Sequence, residues 1–212
     1  MKFKKNTVMK TTKKCIFSLL SIAIVFTTLY VYHVHFNYRF TEVTSGKVYR
    51  SAAIPADKIE NYLNKYGIKT VIDLRIGAVI DPLNPSLTND ITREHDIIET
   101  IDNVTHINIP SHQIPSKENL EQFFDVLDKD ISYPILIHCH HGTGRAVLYT
   151  ALYRIEYEGF SNEEARKKTV FPVLLSSFDN GTPKGEWLKA YEVRRTNEYA
   201  SSEVVSENNS SQ

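Results

Sequence analysis

Acidic residues are missing from the first 41 positions of this 212-residue chain, although Asp and Glu number 25 overall. Cysteine is scarce as well. Only Cys15 and Cys139 are present, which excludes a disulfide-built scaffold and a multi-cysteine zinc module. Eight glycines and eight prolines are too few for collagen-like or low-complexity architecture, and no internal repeat is present. Against these shortages, hydrophobic residues at 42% and aromatics at 11% suffice for a packed core and exclude a wholly disordered chain. The length suits one domain.

The formal net charge of zero is a cancellation. Before Glu42, Lys2, Lys4, Lys5, Lys10, Lys13, Lys14 and Arg39 give +7; from residue 42 onward the other 18 basic residues meet all 25 acidic ones, giving −7. No nucleic-acid partner is expected. Residues 15–34, CIFSLLSIAIVFTTLYVYHV, carry no charge and, as a helix rising 1.5 Å per residue, are long enough for a bilayer core of roughly 30 Å. A cleaved signal peptide shares the basic start, but this run is longer than usual and no small-x-small site follows. Bulky Tyr30, Tyr32, His33, His35 and Tyr38 follow instead, suited to an interface belt. An uncleaved signal anchor is therefore expected, with residues 1–14 a basic cytoplasmic N-terminus, 15–34 the membrane span, 35–42 a juxtamembrane linker, 43–200 a folded domain and 201–212 a disordered polar tail. The positive-inside rule places that domain on the exocytoplasmic side (periplasmic, extracellular or lumenal). Cys139 is its only thiol, so no intrachain disulfide within the domain can consume it.

Periodicity predicts an opening strand near Val48, a helix from Pro55 to Tyr66 stopped by Gly67, and a buried strand over Ile68–Leu74. A long loop covers 76–90, followed by a polar helix over Thr88–Thr100 and a short strand over Thr105–Ile109. Ser116 caps a helix through about Asp130. Pro134–Ile137 is the most apolar strand, and a helix runs from Arg145 to about Glu158. Ser161–Glu164 is a capping box opening the next helix, and Trp187 to about Tyr199 closes the domain. Alternating strands and helices imply an α/β domain with a central, mainly parallel sheet flanked by helices, preceded by one transmembrane helix.

The apolar strand ends in His138-Cys139-His140-His141-Gly142-Thr143-Gly144-Arg145, and a helix follows. Strand, glycine-bearing loop and helix N-terminus form an anion cradle, because backbone N–H groups converge there and the helix dipole is positive at that end. The same groups would stabilise a Cys139 thiolate, a strong nucleophile. Arg145 closes the loop with a planar fork able to hold two phosphate oxygens. Cradle, thiolate and guanidinium together describe phosphoryl transfer to cysteine followed by hydrolysis.

His138, Cys139, Gly142 and Arg145 match the H-C-x2-G-x2-R signature, and the chain resembles the cysteine-based phosphatases of the protein tyrosine and dual-specificity superfamily. Lys47–Ser51, Gly67–Arg75, Pro115–Leu120 and Pro134–Ile137 are similar to the bacterial and fungal members, so the likeness spans about residues 43–195. It implies Cys139 as nucleophile and Arg145 as phosphate clamp. It also implies substrate binding by His140, His141, Gly142, Thr143, Gly144 and Arg145, with His138 orienting the cysteine. No cofactor or metal is expected, since adjacent histidines rarely converge on one ion and no second ligand cluster is evident. The partner is a phosphorylated protein, lipid or inositol phosphate; oligomeric state is left open.

Two departures stand out. Ala146 replaces the usual Ser or Thr after the arginine, and Thr143 is a possible substitute. The stretch Ile109–Pro115 has Ser111 where a catalytic Asp is expected. His112 is then the candidate general acid and Asp81 the alternative; a third option is no acid at all, with good leaving groups. A catalytically weak phospho-ligand-binding relative is the main rival, and a sulfur carrier or arsenate reductase a further one. Asp73 and Arg75 are read as a structural ion pair, Arg50 as structural, and Arg166-Lys167-Lys168 as a solvated helix face. Asn103 and Asn180 fit the glycosylation pattern without further meaning.

Overall fold

The computed structural model describes residues 2–77, 88–169 and 176–194. The chain divides into two units, Met1–Phe40 and Thr41–Gln212. The first is a single helix, α1 (Lys2–His35), whose segment Ile16–His35 is long and apolar enough to cross a membrane. Its Phe17, Leu19, Ile24, Phe26 and Leu29 are all exposed, and the lysines precede them. The helix thus begins well before the expected span.

The second unit contains β1 (Thr41–Thr44), β2 (Val48–Ala52), α2 (Ala56–Tyr66), β3 (Thr70–Asp73), α3 (Thr88–Ile98) and β4 (Thr105–Asn108). These are followed by α4 (Lys117–Leu127), a short 3-10 turn (Asp130–Ser132), β5 (Ile135–Cys139), α5 (Arg145–Glu158), α6 (Asn162–Thr169) and α7 (Pro183–Lys189). The five strands lie in the order β1-β2-β5-β3-β4. Four run parallel, and β1 pairs antiparallel with β2. The sheet is therefore mixed, and β1 occupies the last two positions of the expected linker. The single opening strand is a hairpin in fact: Gly46 takes φ +66°, and Lys47 N–H donates to the Thr44 carbonyl at 3.0 Å. The weak alternation around the Ser45-Gly46 turn concealed it.

Strand β5 is central and buried at all five positions, with Ala52 beside Cys139 on one flank and Asp73 beside His138 on the other. Because β2 and β3 lie on opposite sides of β5, the crevice at their carboxyl ends is a topological switch point, where open α/β sheets bind ligands. Ile135 and Ile137 join Phe123, Phe124 and Leu127 of α4 and Leu148 and Leu152 of α5 in one core, and the Phe123 and Tyr149 rings meet edge to face at 4.7 Å. Burying each such side chain contributes roughly 1.5–3 kcal/mol. Helix ends follow their local chemistry: Gly67 and Gly159 take left-handed C-cap conformations, Ser116 and Asn119 form a capping box, and Ser161 bonds Glu164. The last helix differs from expectation. Thr182 accepts from Gly185 N–H and Pro183 takes the first turn, so α7 starts at Pro183 and ends at Lys189. The tail from 195 lies outside the described residues, as do 78–87.

Candidate active site

The loop between β5 and α5 is fixed by backbone geometry on both flanks. Ala53 N–H donates to the His140 carbonyl at 3.1 Å, and Leu74 N–H to the His138 carbonyl at 2.9 Å. Gly142 is obligatory. Its φ is +67°, and a Cβ there would lie 2.5 Å from Ala52 N and 2.8 Å from Ser51 O. This close approach to β2 lets the Gly142 N–H donate to Cys139 Sγ at 3.3 Å, so one backbone dipole of the loop already addresses the sulfur.

Arg145 is buried at the first position of α5. One terminal nitrogen, Nη1, donates to the carbonyls of Leu74 at 2.6 Å and Ser111 at 3.1 Å, tying the ends of β3 and β4 to the loop. Its Nε and Nη2 are buried without a hydrogen-bond partner among the described residues. Leaving buried donors unmade costs about 1–3 kcal/mol each, and these two form one edge of a planar fork. That edge matches two oxygens of a tetrahedral dianion.

Ser111, at the position expected for an acid, is fully buried; its hydroxyl accepts from Tyr149 Oη at 2.8 Å and donates to the His112 carbonyl at 3.0 Å. Burial pushes the Tyr149 phenol up to about 12, against the opposing pull of Ser111 and Arg145, so it stays protonated as the donor. His112 is exposed, and Asp81 lies outside the described residues. The Asp90 carboxylate, at the start of α3, exerts its field on His140. His140 is half-buried, its ring edge to face with that of exposed His141 at 4.5 Å. Burial, then the charges of His141, Arg75 and Arg145, push its pKa down. Its protonation is therefore displaced to more acidic pH than its ordinary value. Thr143 is exposed on the loop, and Ala146 is buried.

Behind the loop lies a buried charge network. Arg75 Nε and Nη2 grip Asp73 at 2.7–3.0 Å, and Nη2 also meets Glu94 Oε2 at 2.7 Å. The expected Asp73–Arg75 ion pair is thus present, extended by Glu94. His138 does not orient the cysteine by a side-chain hydrogen bond: Nε2 lies 2.8 Å from Glu94 Oε1, and Nδ1 has no hydrogen-bond partner among the described residues. His106 Nε2 stands 3.7 Å from Asp73, and His106 Nδ1 is 3.3 Å from His95 Nδ1. Burial alone would raise the Asp73 pKa, but the charge of His138, the nearby His106 ring and the hydrogen bonds from Arg75 hold it far below the usual carboxylate range. Asp73, Glu94, His106 and His138 together offer four donor atoms within 4.8 Å of one another. No motif marks this cluster, since its members are scattered over 66 positions. The Arg75 guanidinium already supplies the cation to both carboxylates.

Two side chains overlooked in the sequence approach the loop. Gln113 Oε1 and Lys184 Nζ bond each other at 2.9 Å and lie 3.0 and 3.3 Å from where a Cβ on Gly144 would stand. Arg166, expected on a solvated face, is buried instead; it donates to Phe178 O at 2.9 Å and to Glu163 at 2.6–2.7 Å, pinning the segment that leads into α7.

A cysteine ending the central strand, a glycine loop folded onto its sulfur and a half-satisfied arginine at the following helix start define a cysteine-dependent phosphatase of the tyrosine and dual-specificity type. Over residues 30–177 the chain matches the family described as DSP-PTPase phosphatase fused to NAD+ kinase, and it belongs to that family. No curated protein matches its sequence. Its fold is shared with TpbA of P. aeruginosa (20% identity, TM-score 0.51, covering 70% of this chain and 82% of that one). It is also shared with the core catalytic domain of the PP-IP phosphatase SIW14 of S. cerevisiae (14%, 0.55, 77% and 91%). The PTP-2 phosphatase of Cydia pomonella is a third neighbour (16%, 0.50, 72% and 89%).

Proposed function

We propose that this phosphatase hydrolyses phosphate monoesters through a phospho-Cys139 intermediate, from a domain tethered by Ile16–His35 on the exocytoplasmic side of a membrane. The chemistry rests above all on the buried, unpartnered Nε–Nη2 edge of Arg145 at the start of α5. A phosphate seated in the cradle gives that edge its acceptors. The Cys139 thiolate attacks phosphorus in line, the S–P bond forming as the P–O bond to the leaving group breaks. Water then attacks the same phosphorus, the S–P bond breaks, and inorganic phosphate leaves with the thiolate restored. Arg145 follows the charge through both steps, because its Nη1 anchor leaves the other edge free.

His112 protonates poor leaving groups in this reading, with Asp81 the alternative donor. With Ser111 sequestered by Tyr149, good leaving groups such as aryl phosphates and phosphoanhydrides are the preferred substrates. The name of SIW14 as a PP-IP phosphatase is in keeping with that preference. Ala146 lacks the hydroxyl that would assist release of the phosphoryl group, so hydrolysis of the intermediate is the slow step.

Aryl phosphate turnover by the full chain in detergent, compared with Cys139→Ser, tests the chemistry: loss of all turnover is expected. If His112→Ala and Asp81→Asn both keep full activity on alkyl phosphates, neither is the donor. The tether is supported by the exposed apolar helix and its preceding lysines. Protease protection of intact cells or vesicles tests it, and a domain shielded on the cytoplasmic side would overturn the topology.

A further inference from the structure

The signature loop contains no lysine, which by itself disfavours strongly anionic substrates. The fold supplies one from elsewhere. Lys184, on α7, places its ammonium beside Gly144, held at 2.9 Å by Gln113 Oε1 and at 5.1 Å over the Phe178 ring. No carboxylate pairs with it in an ion pair among the described residues, although it is half-buried. Burial pushes its pKa down, while the field of Cys139 pushes it up and that of Arg145 down again; it therefore feels both reacting groups. Its placement is built: Thr182 caps α7, Arg166 holds the Phe178 carbonyl, and Gly185 lies too close to Asp179 O to carry a Cβ.

Charge arithmetic gives this cation a task. A thiolate and a phosphate dianion bring −3 to the cradle, and Arg145 returns +1. A partly desolvated ammonium at the rim lowers the remaining repulsion, and an amide is a suitable neutral partner to aim it without neutralising it.

We propose that Lys184, aimed by Gln113, is the second cationic half of the substrate site, binding an anionic oxygen of the transferred phosphate or of a phosphate joined to it. This deepens the phosphatase reading and rests on it. The loop's missing lysine is thereby restored by the tertiary fold, and the preferred substrates are more anionic than the loop alone indicates.

The test uses the full chain in detergent. Inhibition constants for inorganic phosphate and for pyrophosphate are measured on wild type, Lys184→Met, Lys184→Arg, Gln113→Ala and the surface control Lys189→Met, with unfolding midpoints alongside. Lys184→Met is expected to weaken binding about tenfold to a hundredfold and to flatten its salt dependence, with a near-normal midpoint. Lys184→Arg recovers most of the loss, and Lys189→Met shows none. Equal weakening of both ions assigns the contact to the transferred phosphate, and greater weakening of pyrophosphate to its neighbour; each supports the proposal. Unchanged constants in Lys184→Met, with wild type binding both ions, overturn the role of Lys184 alone. Wild type that binds neither ion overturns the phosphate reading itself.

Discussion

Gly142→Ala is the most demanding perturbation of this loop, and its size can be worked from two geometric facts. At φ +67° an alanine pays the left-handed penalty, about 1–2 kcal/mol. Its Cβ would also stand 2.5 Å from Ala52 N and 2.7 Å from Ser51 C, both backbone atoms of a strand hydrogen-bonded on two sides. Restoring ordinary contact requires the loop to move by roughly 1 Å, and displacements of that size cost on the order of 100-fold in rate. The expected outcome is a stability loss of about 2–4 kcal/mol, from strain and clash together, with aryl phosphate turnover down at least 100-fold. Gly144→Ala is the internal comparison. Its added Cβ meets only the ends of Gln113 and Lys184, at 3.0 and 3.3 Å. Flexible side chains can yield, so it should fold like wild type. Denaturant unfolding and steady-state kinetics on both variants decide the matter. A Gly142→Ala protein within 0.5 kcal/mol of wild type and fully active would refute the backbone argument.

Other expectations follow from the same contacts. Arg145→Lys keeps the charge but loses the planar fork and both carbonyl anchors, so kcat should fall by about 100-fold or more; near-normal kcat would remove the fork from the mechanism. Ser111→Asp should not restore a general acid, because the side chain is sealed against Tyr149. It should instead destabilise by a few kcal/mol, and a gain in alkyl phosphate turnover would contradict the burial argument. The depressed Asp73 carboxyl contributes stability that is complete above its ordinary pKa and is lost as pH falls toward its folded value. Urea unfolding should therefore weaken steeply below about pH 4, and Asp73→Asn should flatten that limb while costing about 3–5 kcal/mol at neutral pH. A variant with the wild-type acid slope would show that Asp73 does not carry it.

The loop was legible because its chemistry is local. Cys139, Gly142 and Arg145 lie within seven residues, and their conformations follow from a strand end, a left-handed glycine and a helix start. The same holds for α4 and α6, where Ser116 and Ser161 announced their caps. What stayed hidden depends on tertiary contact. Asp73, His106 and His138 meet, with Glu94 of α3, only because β3 sits between β5 and β4, an arrangement that no periodicity records. Lys184 stands 39 positions beyond Arg145 on a short helix that begins at Pro183, ahead of the closing helix expected from Trp187. Arg166 was read as solvated because its neighbours Lys167 and Lys168 are; the buried Phe178 carbonyl that claims it is 12 residues away. The absence of a carboxylate at position 111 was visible, whereas the sequestration of Ser111 by Tyr149 was not.

Trapping the intermediate bears most directly on the central claim. Acid quenching during the first turnover of an aryl phosphate, followed by peptide mass spectrometry, should find one phosphoryl group on the peptide carrying Cys139. The slow hydrolysis proposed for a site with Ala146 predicts that it accumulates in a burst. Cys139→Ser should show neither turnover nor that mass. Continued hydrolysis by Cys139→Ser, or wild-type turnover with no phosphorylated Cys139 at any quench time, would contradict a mechanism through this sulfur.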